Sequence, residues 1–185
     1  MFSAPVIALA LMRADRFYPR TLAPRARGQL RESLAYVRGR TDIRIILVLI
    51  FVVSALGMNF QMTSALMATT VFGKDAGSFG ILSSFMAVGS IMGATGAARR
   101  TPRLRTIVLG AAFYGAAEIA LGLSPSYWFF ALMSIPTGFG MLTMNTSANA
   151  LIQTRTDPDK RGRVMALYSL VFLGATPIGS PLIGW

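Results

Sequence analysis

Long uncharged stretches alternate with short clusters of charged residues along this chain. The uncharged stretches span residues 45–73, 76–98, 106–154 and 164–185, and Glu118 is the one charged residue inside them. A charge at the centre of a membrane span costs about 2.5–3.5 kcal/mol, so spans exclude charge, whereas a soluble helix keeps charged residues on its outer face. The pattern therefore predicts helices that cross a lipid bilayer.

The lengths of these stretches set the number of predicted spans. About 20 apolar residues are enough to cross a bilayer, and the stretch 106–154 is long enough for two helices, with a break at Pro125. We predict an all-α integral membrane protein with five transmembrane helices, at about 45–72, 77–98, 105–123, 128–153 and 164–185. Residues 1–12 are apolar but too short to span, and we interpret them as the end of a preceding transmembrane helix.

Basic residues mark every second connection between the predicted spans. Nine Lys and Arg residues lie in 13–44, one at Lys74, four in 99–105, none in 124–127 and four in 155–163. Basic connections stay in the cytoplasm, so we place the first, third and fifth there. We expect a multi-pass protein of the cell membrane, specifically a bacterial plasma membrane, with the lipid bilayer as a partner. The net charge of +11 then reflects topology, and we expect no nucleic-acid partner.

The basic loop 13–44 contains an apolar stripe at helical spacing, formed by Leu30, Leu34 and Val37. This stripe favours an amphipathic helix that lies on the membrane surface with its arginines toward lipid phosphates. A solvated loop that only enforces topology is the alternative.

Composition excludes several classes of chemistry. The chain is 54% hydrophobic and 14% charged, with a mean hydropathy of +0.56 and neither cysteine nor histidine. Disulfides, thiolate metal sites and Ser-His or Cys-His catalysis are therefore unavailable. No nucleophile and base recur together in the spans, so we expect no enzyme, no catalytic residue, no metal site and no cofactor.

Polar residues inside the spans are candidates for contacts with a substrate. One helical face of the span 128–153 carries polar or small residues at spacings of four or seven: Ser134, Gly138, Asn145, Asn149 and Gln153. The span 45–72 carries Asn59 and Thr63 one turn apart, with Gln61 on the same turn. Such residues either line a wet cavity or form hydrogen bonds between helices, and the sequence leaves both readings open. Gly89 and Gly93 form a Gly-x-x-x-Gly pair that indicates close helix packing.

Glu118 is the only acidic residue inside a predicted span. A carboxylate buried in a membrane protein commonly carries a coupling proton. Glu118 lies six residues before Ser124, about 9 Å along a helix, and a structural hydrogen bond with Tyr114 one turn earlier is the alternative.

Four stretches together resemble one known family. They read QLRESLAYVRGRTDIR at 29–44, SFGILSSFMAVGSIMGA at 78–94, TRTDPDKRGRVMALYS at 154–169 and GATPIGSPLIGW at the end. In this order they resemble the C-terminal half of a major facilitator superfamily transporter, from the branch of drug and siderophore exporters similar to the enterobactin exporter.

The resemblance implies a major-facilitator-type helix bundle, with residues 1–12 as the end of helix six and the five spans as helices seven to eleven. The matching N-terminal half would be the partner, and a small-molecule substrate would bind between the halves. This would place substrate contacts at Asn59, Gln61, Thr63, Asn145 and Asn149. Basic residues of the cytoplasmic loops would act in gating or as simple topological anchors: Arg99, Arg100, Arg161 and Arg163.

Two functions follow as hypotheses. The first is secondary active efflux of small molecules, coupled to protons, by an incomplete C-terminal half. The second is a membrane scaffold or half-size subunit that acts only in an oligomer and does not transport by itself.

Overall fold

The computed structural model describes residues 29–57 and 59–183. Within these ranges the chain is helical, and no strand occurs. The predicted helix end at 1–12 and the first half of the loop 13–44 lie outside the described residues. The helices are α1 (Gln29–Gly39), α2 (Thr41–Gly57), α3 (Phe60–Leu66), a π-helix (Met67–Val71), α4 (Ala76–Ala98), α5 (Leu104–Gly122), α6 (Tyr127–Arg155) and α7 (Pro158–Ile183).

Three helical segments of the described chain are long and apolar enough to cross a membrane: Thr41–Val71, Gly77–Ala98 and Leu104–Gly122. This agrees with the predicted all-α membrane architecture. Helices α6 and α7 are also long, with 29 and 26 residues, but their sequences are less apolar than those of the three segments. That α6 and α7 cross the membrane, giving five spans, stays a prediction.

The first predicted span departs from a regular helix at Asn59, which has a φ of −95° and a ψ of 16° and directly precedes α3. The Asn59 side-chain amide donates to the Ala55 carbonyl at 3.4 Å, and such a bond competes with the backbone ladder. The Tyr114 hydroxyl donates to the Gly57 carbonyl at 2.7 Å and so satisfies an acceptor at the break.

Local caps explain where α4 and α6 begin. Asp75 accepts a hydrogen bond from the Ser78 backbone N–H at 3.1 Å, and Ser126 accepts one from Phe129 at 3.4 Å. Hydrogen bonds from Ser78 hold the pKa of Asp75 below its usual value. The preceding turn contains Gly73 at a φ of 59°, which only glycine adopts at little cost.

Helix α6 lies along α4 and α5, while α2 lies along α7. The end of the bundle where α2, α5 and α7 begin and α4 and α6 end is called the basic end here. A core of buried apolar residues joins α2, α5, α6 and α7 toward this end, including Ile46, Ile107, Met144, Ile152 and Val164. A second core at the opposite end contains Phe60, Leu82, Leu121 and Phe130.

Helix α1 lies at the basic end and contacts α2 and α7. Val37 is buried in the core, whereas Leu34 is 47% exposed. Within the predicted stripe, Val37 therefore packs against the bundle and Leu34 faces outward. Insertion of α1 into the membrane surface stays a prediction.

Candidate functional site

An open cavity of about 520 Å³ lies along the half of α6 nearest the basic end. Asn145 lies ten residues before the helix end at Arg155, which is about 15 Å, or half the thickness of a bilayer core. Seven residues of α6 line the cavity, and five of them are polar: Leu142, Asn145, Thr146, Asn149, Ala150, Gln153 and Thr154. This surface, here called the α6 groove, contains both asparagines predicted from the sequence.

The two asparagines have different partners. Asn145 Oδ1 accepts a hydrogen bond of 2.7 Å from the Tyr168 hydroxyl, which ties α6 to α7. Asn149 Oδ1 accepts from Gln153 Nε2, one turn further along the same helix. Asn145 therefore helps to hold two helices together. Asn149 faces the groove with a partner that belongs to its own helix, so it is the better placed of the two to exchange that partner for a ligand.

The polar face of α6 does not line a cavity along its whole length. Ser134 is buried and donates to the Phe130 carbonyl within the helix at 2.9 Å. Gly138 packs against Met86 and Ser90 of α4, where a Cβ atom would lie 2.9 Å from the serine oxygen. The half of this face away from the basic end therefore serves helix packing.

The polar residues of the first span lie at its break. Asn59 is 8% exposed, and its amide bonds to Ala55. The Thr63 hydroxyl donates to the Asn59 and Phe60 carbonyls at 3.1 and 3.2 Å. Gln61 has its side chain outside the described part of the chain. Asn59 thus bonds to the last turn of α2 and Thr63 to the first turn of α3, and both bonds help to stabilise the break. A substrate contact there stays a prediction.

Glu118 lines a second cavity, between α2 and α5, rather than the α6 groove. It interacts with the Tyr114 side chain, as the sequence suggested, but the hydroxyl proton of Tyr114 is directed to Gly57. Glu118 Oε1 is buried and has no hydrogen-bond partner among the described residues. The structure therefore separates the candidate coupling group from the candidate substrate contacts.

The four candidate loop arginines do not behave alike. Arg163 at the start of α7 pairs with Glu32 of α1 at 3.1 Å, and Lys160 approaches the same carboxylate at 3.9 Å. Arg161 is exposed, as are Arg99 and Arg100 after α4, and over residues 29–57 and 59–183 none of these three forms an ion pair.

A second set of polar contacts fixes α1 and the start of α2 to the connection between α6 and α7. Asp42 pairs with Arg40 at 3.3 Å and with Arg155 at 3.4 Å. Arg40 also donates to the Arg155 carbonyl at 3.2 Å, and the Tyr36 ring lies 4.8 Å from the Lys160 ammonium. Ion pairs this exposed contribute at most about 1 kcal/mol each, so they orient α1 more than they stabilise the fold.

Sequence reasoning missed Tyr168, which bonds Asn145, and the ion pairs that Asp42 and Glu32 form with basic residues at the basic end. A tyrosine within an otherwise apolar run is a usable signal, since a buried phenolic hydroxyl needs a partner. Among the described residues, no cluster of three or more His, Cys, Asp or Glu side chains could hold a metal ion.

Comparison with known proteins gives one match. The family profile described as Major Facilitator Superfamily matches residues 47–185, about three quarters of the chain. The search of curated proteins and the search of solved structures each returned no match.

Proposed function

This chain belongs to the Major Facilitator Superfamily, and we propose that it forms part of a secondary active transporter that exports small molecules, with Asn149 in the α6 groove as a substrate contact. Members of the family are membrane transporters and not enzymes. Export, proton coupling and a bacterial plasma membrane are part of the proposal, and the support for them is the resemblance of the four quoted stretches. The matching half of the transporter is the proposed partner across the substrate path.

The observation that carries the proposal is the α6 groove. A lipid-facing helix has no reason to place two asparagines, a glutamine and two threonines on one surface, because each polar group left in hydrocarbon costs free energy. The groove reaches about the depth of the bilayer centre, where transporters of this kind bind substrate. Asn149 offers both donors and an acceptor once its bond to Gln153 is exchanged.

The test compares two alanine substitutions on the same helix in the full-length protein. Asn149→Ala should change the substrate affinity or preference of efflux and leave thermal stability nearly unchanged. Thr143→Ala is the matched control, because Thr143 donates to the Gly93 carbonyl of α4 at 3.3 Å and does not line the groove. It should lower stability by about 0.6 kcal/mol, the average for intramembrane hydrogen bonds, with substrate preference unchanged.

The assay is efflux from cells with a panel of hydrophobic drugs and siderophores, alongside expression level and melting temperature of each variant. Loss of stability in Asn149→Ala together with unchanged substrate preference would remove Asn149 from the substrate path. Absence of flux for the whole panel, with the protein folded and inserted, would favour the scaffold or half-size subunit.

Proton coupling is proposed at Glu118, whose carboxylate is the only one inside the apolar stretches of the sequence. Glu118→Gln should then abolish dependence of efflux on the proton gradient while substrate preference stays as in the unmodified protein. Gradient-dependent efflux in Glu118→Gln would assign the coupling to another group.

A further inference from the structure

Both asparagines of the α6 groove have their amide oxygens occupied. Asn145 Oδ1 accepts from the Tyr168 hydroxyl at 2.7 Å, and Asn149 Oδ1 accepts from Gln153 Nε2. A side-chain amide has one oxygen that accepts and one NH₂ group with two donors. Over residues 29–57 and 59–183, neither Asn145 Nδ2 nor Asn149 Nδ2 has a hydrogen-bond partner. Each asparagine therefore presents its donors, and not its acceptor, to a ligand.

The other polar groups of the groove do not offset this bias between the two asparagines. The Thr154 hydroxyl donates to carbonyls of its own helix at 2.9 and 3.1 Å, and the Thr146 hydroxyl can donate or accept. The remaining amide acceptor is Gln153 Oε1, on an exposed residue one turn closer to the basic end. Among the described residues that line the groove, none is ionisable. The surface between the asparagines is therefore one of uncharged donors.

This arrangement restricts the ligand that the groove binds at least cost. An acceptor oxygen can bind Asn149 Nδ2 while Asn149 Oδ1 stays bonded to Gln153, whereas a donor would first have to displace Gln153. Side chains one turn apart have Cβ atoms about 5–6 Å from each other, so two neighbouring oxygens of one molecule can contact both amides. An ion would lack a counter-charge in the lining, which is costly away from water.

We propose that Gln153 is a positioning residue that fixes Asn149 as a donor, and that the α6 groove selects uncharged molecules with two neighbouring acceptor oxygens, such as paired carbonyl or ester groups. The proposal rests on the proposed function, because it takes the α6 groove as one wall of the substrate path. It adds a substrate class and a role for Gln153 that acts through Asn149.

The experiment is equilibrium dialysis of two radiolabelled probes with the purified full-length protein in mild detergent. Dimethyl phthalate carries neighbouring ester oxygens and no donor, whereas ortho-phenylenediamine carries neighbouring amino groups that donate well and accept poorly. Both probes are uncharged at neutral pH. The measured quantity is the ratio of their affinities, compared between variants, because partitioning of each probe into detergent is the same in every sample and cancels.

Two substitutions of Gln153 test its positioning role. Gln153→Glu keeps the length of the side chain but accepts only, so Asn149 should turn Nδ2 toward it and Oδ1 toward the groove. The affinity ratio should then shift toward the diamine by about two- to tenfold, the effect of one hydrogen bond. Gln153→Met leaves Asn149 free to rotate and should give an intermediate ratio. A purely structural role for Gln153 would change the melting temperature and leave the ratio unchanged.

Two further variants test the location. Asn149→Leu keeps a side chain of similar size without the amide, so it should weaken binding of the diester by about two- to tenfold. Thr143→Ala is the matched control, because Thr143 lies on the same helix, bonds to Gly93 of α4 and does not line the groove. It should leave the affinity ratio as in the unmodified protein.

The opposite results overturn different parts of the proposal. The same ratio in the unmodified protein, Gln153→Met and Gln153→Glu would refute the positioning role. Absence of saturable binding of dimethyl phthalate to the folded protein, or equal loss of it in Thr143→Ala and Asn149→Leu, would refute the substrate class. A shifted ratio in Gln153→Glu, together with no efflux of any compound in the panel, would refute the transport proposal alone.

Discussion

Substitution of Gly89 by alanine should disrupt the contact between α4 and α6, although alanine is the better helix former. The backbone of α6 passes directly over this glycine. An added Cβ atom would lie 2.7 Å from the carbonyl carbon of Ile135, and closer still to its oxygen, whereas an ordinary contact begins at 3.4 Å. The two helices would therefore have to separate by at least about 0.7 Å at this point.

The size of the effect follows from that separation. A gap of about 0.5–1 Å forfeits a quarter to a half of the dispersion attraction between facing atoms, and overpacking of this kind costs about 1–3 kcal/mol. In a membrane this loss is not offset elsewhere, because van der Waals contact is the main source of helix association. We expect Gly89→Ala to lower the free energy of unfolding by about 1–3 kcal/mol.

Gly96→Ala is the matched control, since it makes the same chemical change in the same helix at a position where a Cβ atom would meet nothing within 4 Å. It should be neutral or stabilising, by at most about 1 kcal/mol. The measurement is unfolding of the purified protein by a denaturing detergent, followed by circular dichroism, with both variants in the same mild detergent. Equal stability of Gly89→Ala and Gly96→Ala would refute the close contact between α4 and α6.

Two further predictions concern the helix break and the topology. Tyr114→Phe removes the hydrogen bond to the Gly57 carbonyl and should lower stability by about 0.6 kcal/mol, and by no more than about 1.7 kcal/mol, in the same unfolding assay; unchanged stability would show that this bond does not stabilise the break. Because the chain has no cysteine, a cysteine introduced at Thr101 should be protected from an impermeant thiol reagent in intact cells and one at Lys74 should be labelled, whereas the reverse pattern would invert the predicted orientation.

The class of fold could be predicted from the sequence because charge exclusion is a property of each segment alone. A segment that carries no charge over the width of a bilayer can be recognised as a membrane span without knowledge of the neighbouring helices. Glu118 illustrates the limit of this reasoning, because the sequence marks it as unusual but does not reveal that it faces α2 across an apolar cavity. That depends on the rotation of α5 about its axis, which only the packing determines.

The candidate site could be predicted only in part for the same reason. The helical period places Asn145 and Asn149 on one face of α6, and both line the groove. The helical period does not reveal Tyr168, which lies on another helix. Its hydroxyl donates a hydrogen bond to Asn145, so Asn145 connects two helices. Likewise the sequence does not reveal that the Gly57 carbonyl accepts a hydrogen bond from the Tyr114 hydroxyl of α5.

The irregular turn at Asn59 divides the first span into two helical segments joined at one point. The α2 segment is attached to α7, while the α3 segment and the π-helix are attached to α4. A sliding movement of α7 against α4 would therefore be taken up as backbone torsion at the turn around Asn59. Both segments would keep their internal hydrogen bonds, and the glycine and asparagine at the joint tolerate torsions that a regular helix would not.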